Sequence, residues 1–244
     1  MTEVICIDRS LWEERHLRWA QVWSSKKNQE GYNEQRGVRD IEDIFCNMFS
    51  IKEVLQEIAE RFPMETIRVL DSGCGECKTL GEIKDFFVGL DRDIHTTGIT
   101  LQEDHIEWAD RNQVDQLIIG PVQNYQFPDR YHLVIDIFGP TRWEKLEDIL
   151  PIYGEIVTNG GIMIFIDPSL PFGNGNTPEQ ITIPLLEEHS MAVRMSGVIK
   201  GTSGEFPILF WLAEKQINVH HAGEFIPNFI RYLLSRVKVT GGLR

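Results

Sequence analysis

A chain of 244 residues with 42% hydrophobic and 10% aromatic content can bury one substantial core, so one domain with appendages is expected rather than two. Its formal net charge of -13 works against a phosphate backbone, which excludes nucleic acid as a natural partner and leaves small molecules or proteins. No apolar run approaches the ~18 residues of a membrane span, and the start, MTEVICIDRSLWEERH, carries acids where a signal peptide needs a basic region and a long apolar stretch. The expectation is a cytoplasmic protein with no membrane partner.

Residues 1–54 read as a helical extension, residues 55–218 as the main domain and residues 219–244 as a C-terminal helix and tail. In the extension, Leu11, Trp12, Arg15, Trp19 and Trp23 show partial helical periodicity, with Leu17 off the stripe, and Gly31 and Gly37 bracket a polar loop that carries Tyr32 and Arg36. The main domain opens with Ile67, Val69 and Leu70, an apolar and β-branched run that reads as a buried strand. Leu80, Ile83, Phe86 and Phe87 follow at the spacing of one helix face. Between them VLDSGCGEC places Gly73 and Gly75 where the chain must turn tightly and let its backbone approach a ligand. A dinucleotide fingerprint would put a third glycine where Lys78 stands, and the triphosphate-cradling G-x-x-x-x-G-K-[ST] spacing is absent.

Downstream, apolar runs alternate with helical patterns, as in βαβ units. Strands are predicted at His95 to Thr100, Val114 to Ile119, His132 to Phe138 and Gly161 to Asp167. Helices are predicted at Leu101 to Asn112, Trp143 to Val157 and Pro178 to His189. Met191 to Ile199 and Phe206 to Glu214 flank a glycine-bearing turn and read as a hairpin. The loop PSLPFGNGNTP, rich in Gly, Pro and Asn, is either a binding loop or a plain connection. Phe225, Phe229, Ile230, Leu233 and Leu234 form a stripe on a last helix, which docks on its own domain or on a second copy, so a homodimer is admitted.

The loop resembles motif I of the class I S-adenosylmethionine-dependent methyltransferases, an acid followed by x-G-x-G-x-G, with Asp71, Gly73 and Gly75 matching and Cys77 in place of the last glycine. The resemblance extends over roughly residues 55 to 215. It implies an α/β, Rossmann-like, seven-stranded and mostly parallel sheet with an antiparallel last strand, helices on both faces and the N-terminal helical extension. It also implies S-adenosyl-L-methionine as the cofactor, with Asp71, Ser72, Gly73, Cys74 and Gly75 around it. At the second motif, TGITLQEDHIEWADRN has Thr100 where the family has a ribose-binding acid, as in the branch similar to cyclopropane fatty acid synthase. Thr100, Leu101 and Gln102 are the implied nucleoside contacts, with Asp91 the competing ribose acid. Gln123 and Asn124 stand where the family presents a group to the adenine, with Leu101 and Tyr125 as apolar walls. Asp136 and Phe138 border the methyl; the acid is either a cofactor contact or a satisfied structural group, and the ring either faces the sulfonium or packs in the core.

For the acceptor, Tyr32, Arg36, Pro140 and Trp143 are the candidate contacts, and Tyr32 and His16 the candidates for proton transfer. The acceptor is a small molecule or a protein side chain, methylated by in-line transfer. A catalytically weak or inactive binding subunit with the same fold is the alternative, and a nicotinamide-dependent reductase is disfavoured by the missing third glycine. Cys74 and Cys77 form a C-x-x-C pair, either a redox site or small residues packed around the loop. No cysteine or histidine spacing suggests a metal site.

Overall fold

The computed structural model describes residues 1–26, 37–44, 49–137, 139–167, 178–200 and 207–216. The strands are β1 (Glu3–Cys6), β2 (Ile67–Ser72), β3 (Ile94–Thr100), β4 (Gln116–Ile119), β5 (Tyr131–Asp136), β6 (Val157–Asp167), β7 (Met191–Lys200) and β8 (Pro207–Lys215). The helices are α1 (Glu14–Lys26), α2 (Val38–Ile44), α3 (Ile51–Arg61), α4 (Lys78–Gly89), α5 (Ile106–Arg111), α6 (Leu146–Ile156) and α7 (Pro178–Glu188). The strands form one sheet in the order β1-β4-β3-β2-β5-β6-β8-β7. Pairing is parallel from β1 to β6, and β8 runs antiparallel to both β6 and β7.

Alternation along the strands builds two cores. In β5, Leu133 and Ile135 point to one face and Val134 to the other; in β6, Ile162, Ile164 and Ile166 oppose Met163 and Phe165. The first face is covered by α2, α3 and α4, and the second by α6 and α7. Helix α4 forms as its sequence pattern requires, since Leu80, Ile83 and Phe87 lie on one stripe and all are fully buried. Each such side chain contributes roughly 1.5–3 kcal/mol through removal from water.

The sheet has eight strands, not seven. Residues Glu3–Cys6, expected within a helical extension, instead add an edge strand to β4 in the register Glu3 with Gln116 to Cys6 with Ile119. Four residues carry too little pattern to announce a strand, and the pairing that makes this one is more than 100 residues away in sequence. The 54/55 boundary falls inside α3. Leu101 to Asn112 is less helical than expected, a 3-10 turn at Glu103–His105 leading into the short α5. The loop PSLPFGNGNTP up to Thr177, the turn at 201–206 and the last helix lie outside the described residues. No described helix is long and apolar enough to cross a membrane.

At the edge away from β1, buried charge ties the sheet to α3. Arg194 of β7 makes two hydrogen bonds to Glu57, at 2.9 and 3.0 Å, and Arg61 binds both Glu57 and Glu214. Glu57 is 5% exposed, so removing its carboxylate leaves two guanidinium groups short of charge in a poorly hydrated place. Glu57→Ala is therefore expected to lower stability by about 3 kcal/mol, read as a fall in the urea midpoint with the slope unchanged.

Candidate functional site

The loop that joins β2 to α4 is made by backbone conformations that side chains rarely take. Gly73 has φ +94° and Gly75 φ +50°. Cys77, the cap residue of α4, takes φ +62°, the left-handed conformation that the replaced glycine would adopt without strain. The loop is fastened to β3 by the N–H groups of Gly73 and Cys74, which both donate to the Ile99 carbonyl at 2.9 and 3.1 Å. A Cβ at Gly98 would come within 2.8 Å of Cys74 Sγ, so this approach needs a glycine in β3.

The two thiols lie 3.5 Å apart, and both cysteines are buried. The hydrogen bond to Cys77 and burial push the Cys74 thiol well above its usual range. A buried thiol raised in this way is held neutral, unlike the thiolate of a reactive cysteine.

A cavity opens at the carboxyl ends of β2, β3 and β5. Asp71, Gly73, Cys74 and Gly75 form its floor. Thr100, Leu101, Gln102, His105 and Gln123 form one wall. His16, Trp19 and Trp23 of α1, with Pro140, Trp143 and Glu144, form the other. Most of the residues singled out in the sequence thus converge on one space. Ser72, Asn124 and Asp136 are close in sequence to this lining but not part of it. Tyr32, Arg36 and Phe138 lie outside the described residues. Asp91 is exposed in the turn after α4 and does not line the cavity, whereas Thr100 does.

Several polar groups assigned from sequence to the nucleoside are engaged elsewhere. Gln102 donates from Nε2 to the Ala20 carbonyl at 2.8 Å and accepts from Ser24 Oγ at 2.7 Å, so both ends of its amide hold α1 over the cavity. Asn124 donates to the Leu11 carbonyl at 2.6 Å and anchors the same segment. Thr100 Oγ1 accepts from the Gln102 N–H at 3.1 Å and lies 2.7 Å from His105 Nδ1, which makes His105 a wall residue that sequence reasoning missed. Gln123 differs: its Nε2 is buried without a hydrogen-bond partner. A buried N–H2 left unsatisfied in a cavity wall costs free energy until an acceptor arrives.

Asp136 is a satisfied structural acid. It accepts from the N–H groups of Gly139 at 3.1 Å and Thr141 at 3.0 Å and from Tyr153 Oη at 2.6 Å. Burial still pushes it up to about 6. Asp71 is pushed up to about 8, first by burial and then by Asp136. A cation arriving beside Asp71 would favour its ionised form and so displace a proton.

The fold has counterparts among solved structures. A Listeria monocytogenes protein named as a putative class I S-adenosylmethionine-dependent methyltransferase is 15% identical and aligns over 85% of this chain and 70% of its own with a TM-score of 0.55. The N-methyltransferase NodS of Bradyrhizobium japonicum, in complex with S-adenosylhomocysteine, is 10% identical over 80% of this chain and 97% of its own, with a TM-score of 0.54. The fold is that of the class I S-adenosylmethionine-dependent methyltransferases. An amino pentose methyltransferase of Micromonospora echinaspora with bound S-adenosylmethionine shares the methyltransferase fold at 12% identity, over 80% of this chain and 97% of its own, with a TM-score of 0.50. No protein-family model and no curated protein matches the sequence.

Proposed function

We propose that this protein binds S-adenosyl-L-methionine in the cavity above β2 and transfers its methyl group in line to an acceptor entering beside α1. The observation that carries this reading is the convergence of the Asp71–Gly75 loop and the orphaned Gln123 Nε2 on one cavity at the carboxyl ends of parallel strands, where open α/β sheets take ligands. Gln123 meets an adenine nitrogen, Leu101 supplies an apolar wall, and Thr100 with His105 serves the ribose in place of an acid. Asp71 faces the cationic amino-acid end. The bound cofactor supplies an already activated methyl on a sulfonium, so the protein's task is to position the acceptor and exclude water. Helix α1, held down by Gln102, with the turn before it tied by Asn124, closes the cavity for that purpose.

Calorimetry with S-adenosylmethionine and with NADH separates this reading from a nicotinamide enzyme: heat with the first and none with the second is expected, and the reverse would overturn it. Gly73→Val places a β-branched side chain at φ +94° and is expected to weaken the cofactor at least 100-fold. The thermal transition should remain cooperative; unchanged affinity would put the nucleoside elsewhere. The lack of a carboxylate at Thr100 and the cysteine at position 77 are the features that favour a binding-only protein, and release of S-adenosylhomocysteine across acceptor classes distinguishes the two.

A further inference from the structure

The end of the cavity where α1 meets the segment 140–144 is built from aromatic faces and one carboxylate. Trp143 lies 4.9 Å from Trp19 and 5.0 Å from Trp23 between ring centroids, tilted at 42° to the first and edge-on at 66° to the second. Glu144 follows directly, its side chain 5% exposed and part of the lining. One carboxylate oxygen faces Arg15 at 2.8 Å and the other faces His16 Nε2 at 3.4 Å. Arg15 stands behind Glu144 and does not line the cavity, and among the described residues no lysine or arginine lines it.

His16 is buried, and its Nδ1 accepts the Glu13 N–H at 3.3 Å, which leaves the ring proton on Nε2 toward Glu144. His16 Nε2 thus faces the Glu144 carboxylate. Burial pushes Glu144 up despite Arg15, and the nearby Glu13 and Asp148 carboxylates add to the rise.

These features exclude an anionic acceptor, which would meet a carboxylate and no cation, and favour one that carries positive charge. Tryptophan faces attract cations more strongly than other rings, most of all where water is displaced. We propose that this end of the cavity is the acceptor subsite and that it takes an amine, whose ammonium form lies against Trp19, Trp23 and Trp143 and is paired with Glu144. An N–H proton of the ammonium passes to the Glu144 carboxylate, leaving the lone pair on nitrogen, and Glu144 returns to its ionised form by releasing that proton to water. The free lone pair is the nucleophile that methyl transfer needs, and to that extent the inference rests on the function proposed above.

The test uses the full chain loaded with S-adenosylhomocysteine, titrated with benzylamine, benzyl alcohol and phenylacetate while tryptophan fluorescence is followed. Benzylamine is expected to bind at least tenfold more tightly than benzyl alcohol, and phenylacetate not at all. Glu144→Gln should erase the amine preference, and Trp143→Leu should weaken benzylamine at least fivefold, both with S-adenosylhomocysteine affinity within twofold of the parent as the check on folding. Equal binding of amine and alcohol to the loaded protein, or a preference that survives Glu144→Gln, overturns the amine subsite. Failure of S-adenosylhomocysteine to bind overturns the methyl-transfer reading instead, and the amine preference is then decided by the same comparison without it.

Discussion

Gly139→Ala is expected to lower the thermal midpoint by roughly 10 °C and to weaken S-adenosylmethionine at least tenfold. A Cβ at Gly139 would lie 1.9 Å from the Ser72 carbonyl oxygen and 2.6 Å from its carbon, with Asp136 Oδ1 at 2.8 Å. The first two contacts are backbone, so no rotamer relieves them, and the carboxyl ends of β2 and β5 must separate. That movement breaks the 3.1 Å bond from Gly139 N to Asp136 and shifts the Asp71 loop that begins one residue before Ser72. Overpacking of this kind costs about 3 kcal/mol, which for a chain of this size corresponds to the stated change at roughly 2–4 °C per kcal/mol. Gly89→Ala is the control: nothing lies within 4 Å of the added atom, and at the end of α4 it should be neutral or slightly stabilising. Calorimetric scans of both variants, with and without cofactor, check the pair, and a Gly139→Ala protein with the parent midpoint would show that the two strand ends are free to part.

The second large effect is a dependence of cofactor binding on pH. Asp71 sits at about 8 in the ligand-free protein because burial, and then Asp136, disfavour its charge; Cys74 and Tyr153 are its other titratable neighbours. It is therefore mostly protonated at pH 7. A ligand with a sulfonium and an ammonium group favours the ionised form, so binding expels a proton and affinity rises with pH, by up to about tenfold per unit between pH 6 and 7.5. Calorimetry at pH 7 in two buffers of different ionisation enthalpy should report close to one proton released, and Asp71→Asn should abolish the release and flatten the profile. For the ligand-free protein the sign is opposite. Asp71 and Asp136 are both raised above the ordinary 3.8, so the fold binds more protons than the unfolded chain, and stability falls as pH rises from about 4 through 6 to 8. A thermal midpoint that climbs over that interval would contradict the raised pair of buried acids.

What was legible in the sequence was what neighbouring residues impose on one another. The apolar run of β2, the turn at Gly73 and Gly75 and the stripe Leu80, Ile83 and Phe87 are set by local sterics and by periodicity, and they suffice to announce the loop and the alternating α/β chain. Gln102 and Asn124 show where such reading stops. At strand ends in a nucleoside-binding pattern they read as ligand contacts, yet their amides bond Ala20, Ser24 and Leu11, partners that lie far off in sequence.

Glu144 is the counterpart: nothing in its local sequence marks it, and it becomes part of the site only because α1 brings His16, Trp19 and Trp23 across to it. The cofactor loop and the order of elements were thus determined by the sequence alone, because backbone conformation and burial pattern act over a few residues. The eighth strand at Glu3–Cys6, the shared burial of Asp71 and Asp136 and the gathering of Trp19, Trp23 and Trp143 were decided only by the tertiary structure. Hydrogen-bond satisfaction and desolvation depend on which distant groups share the same low-dielectric space, and that is known only once the chain has closed around it.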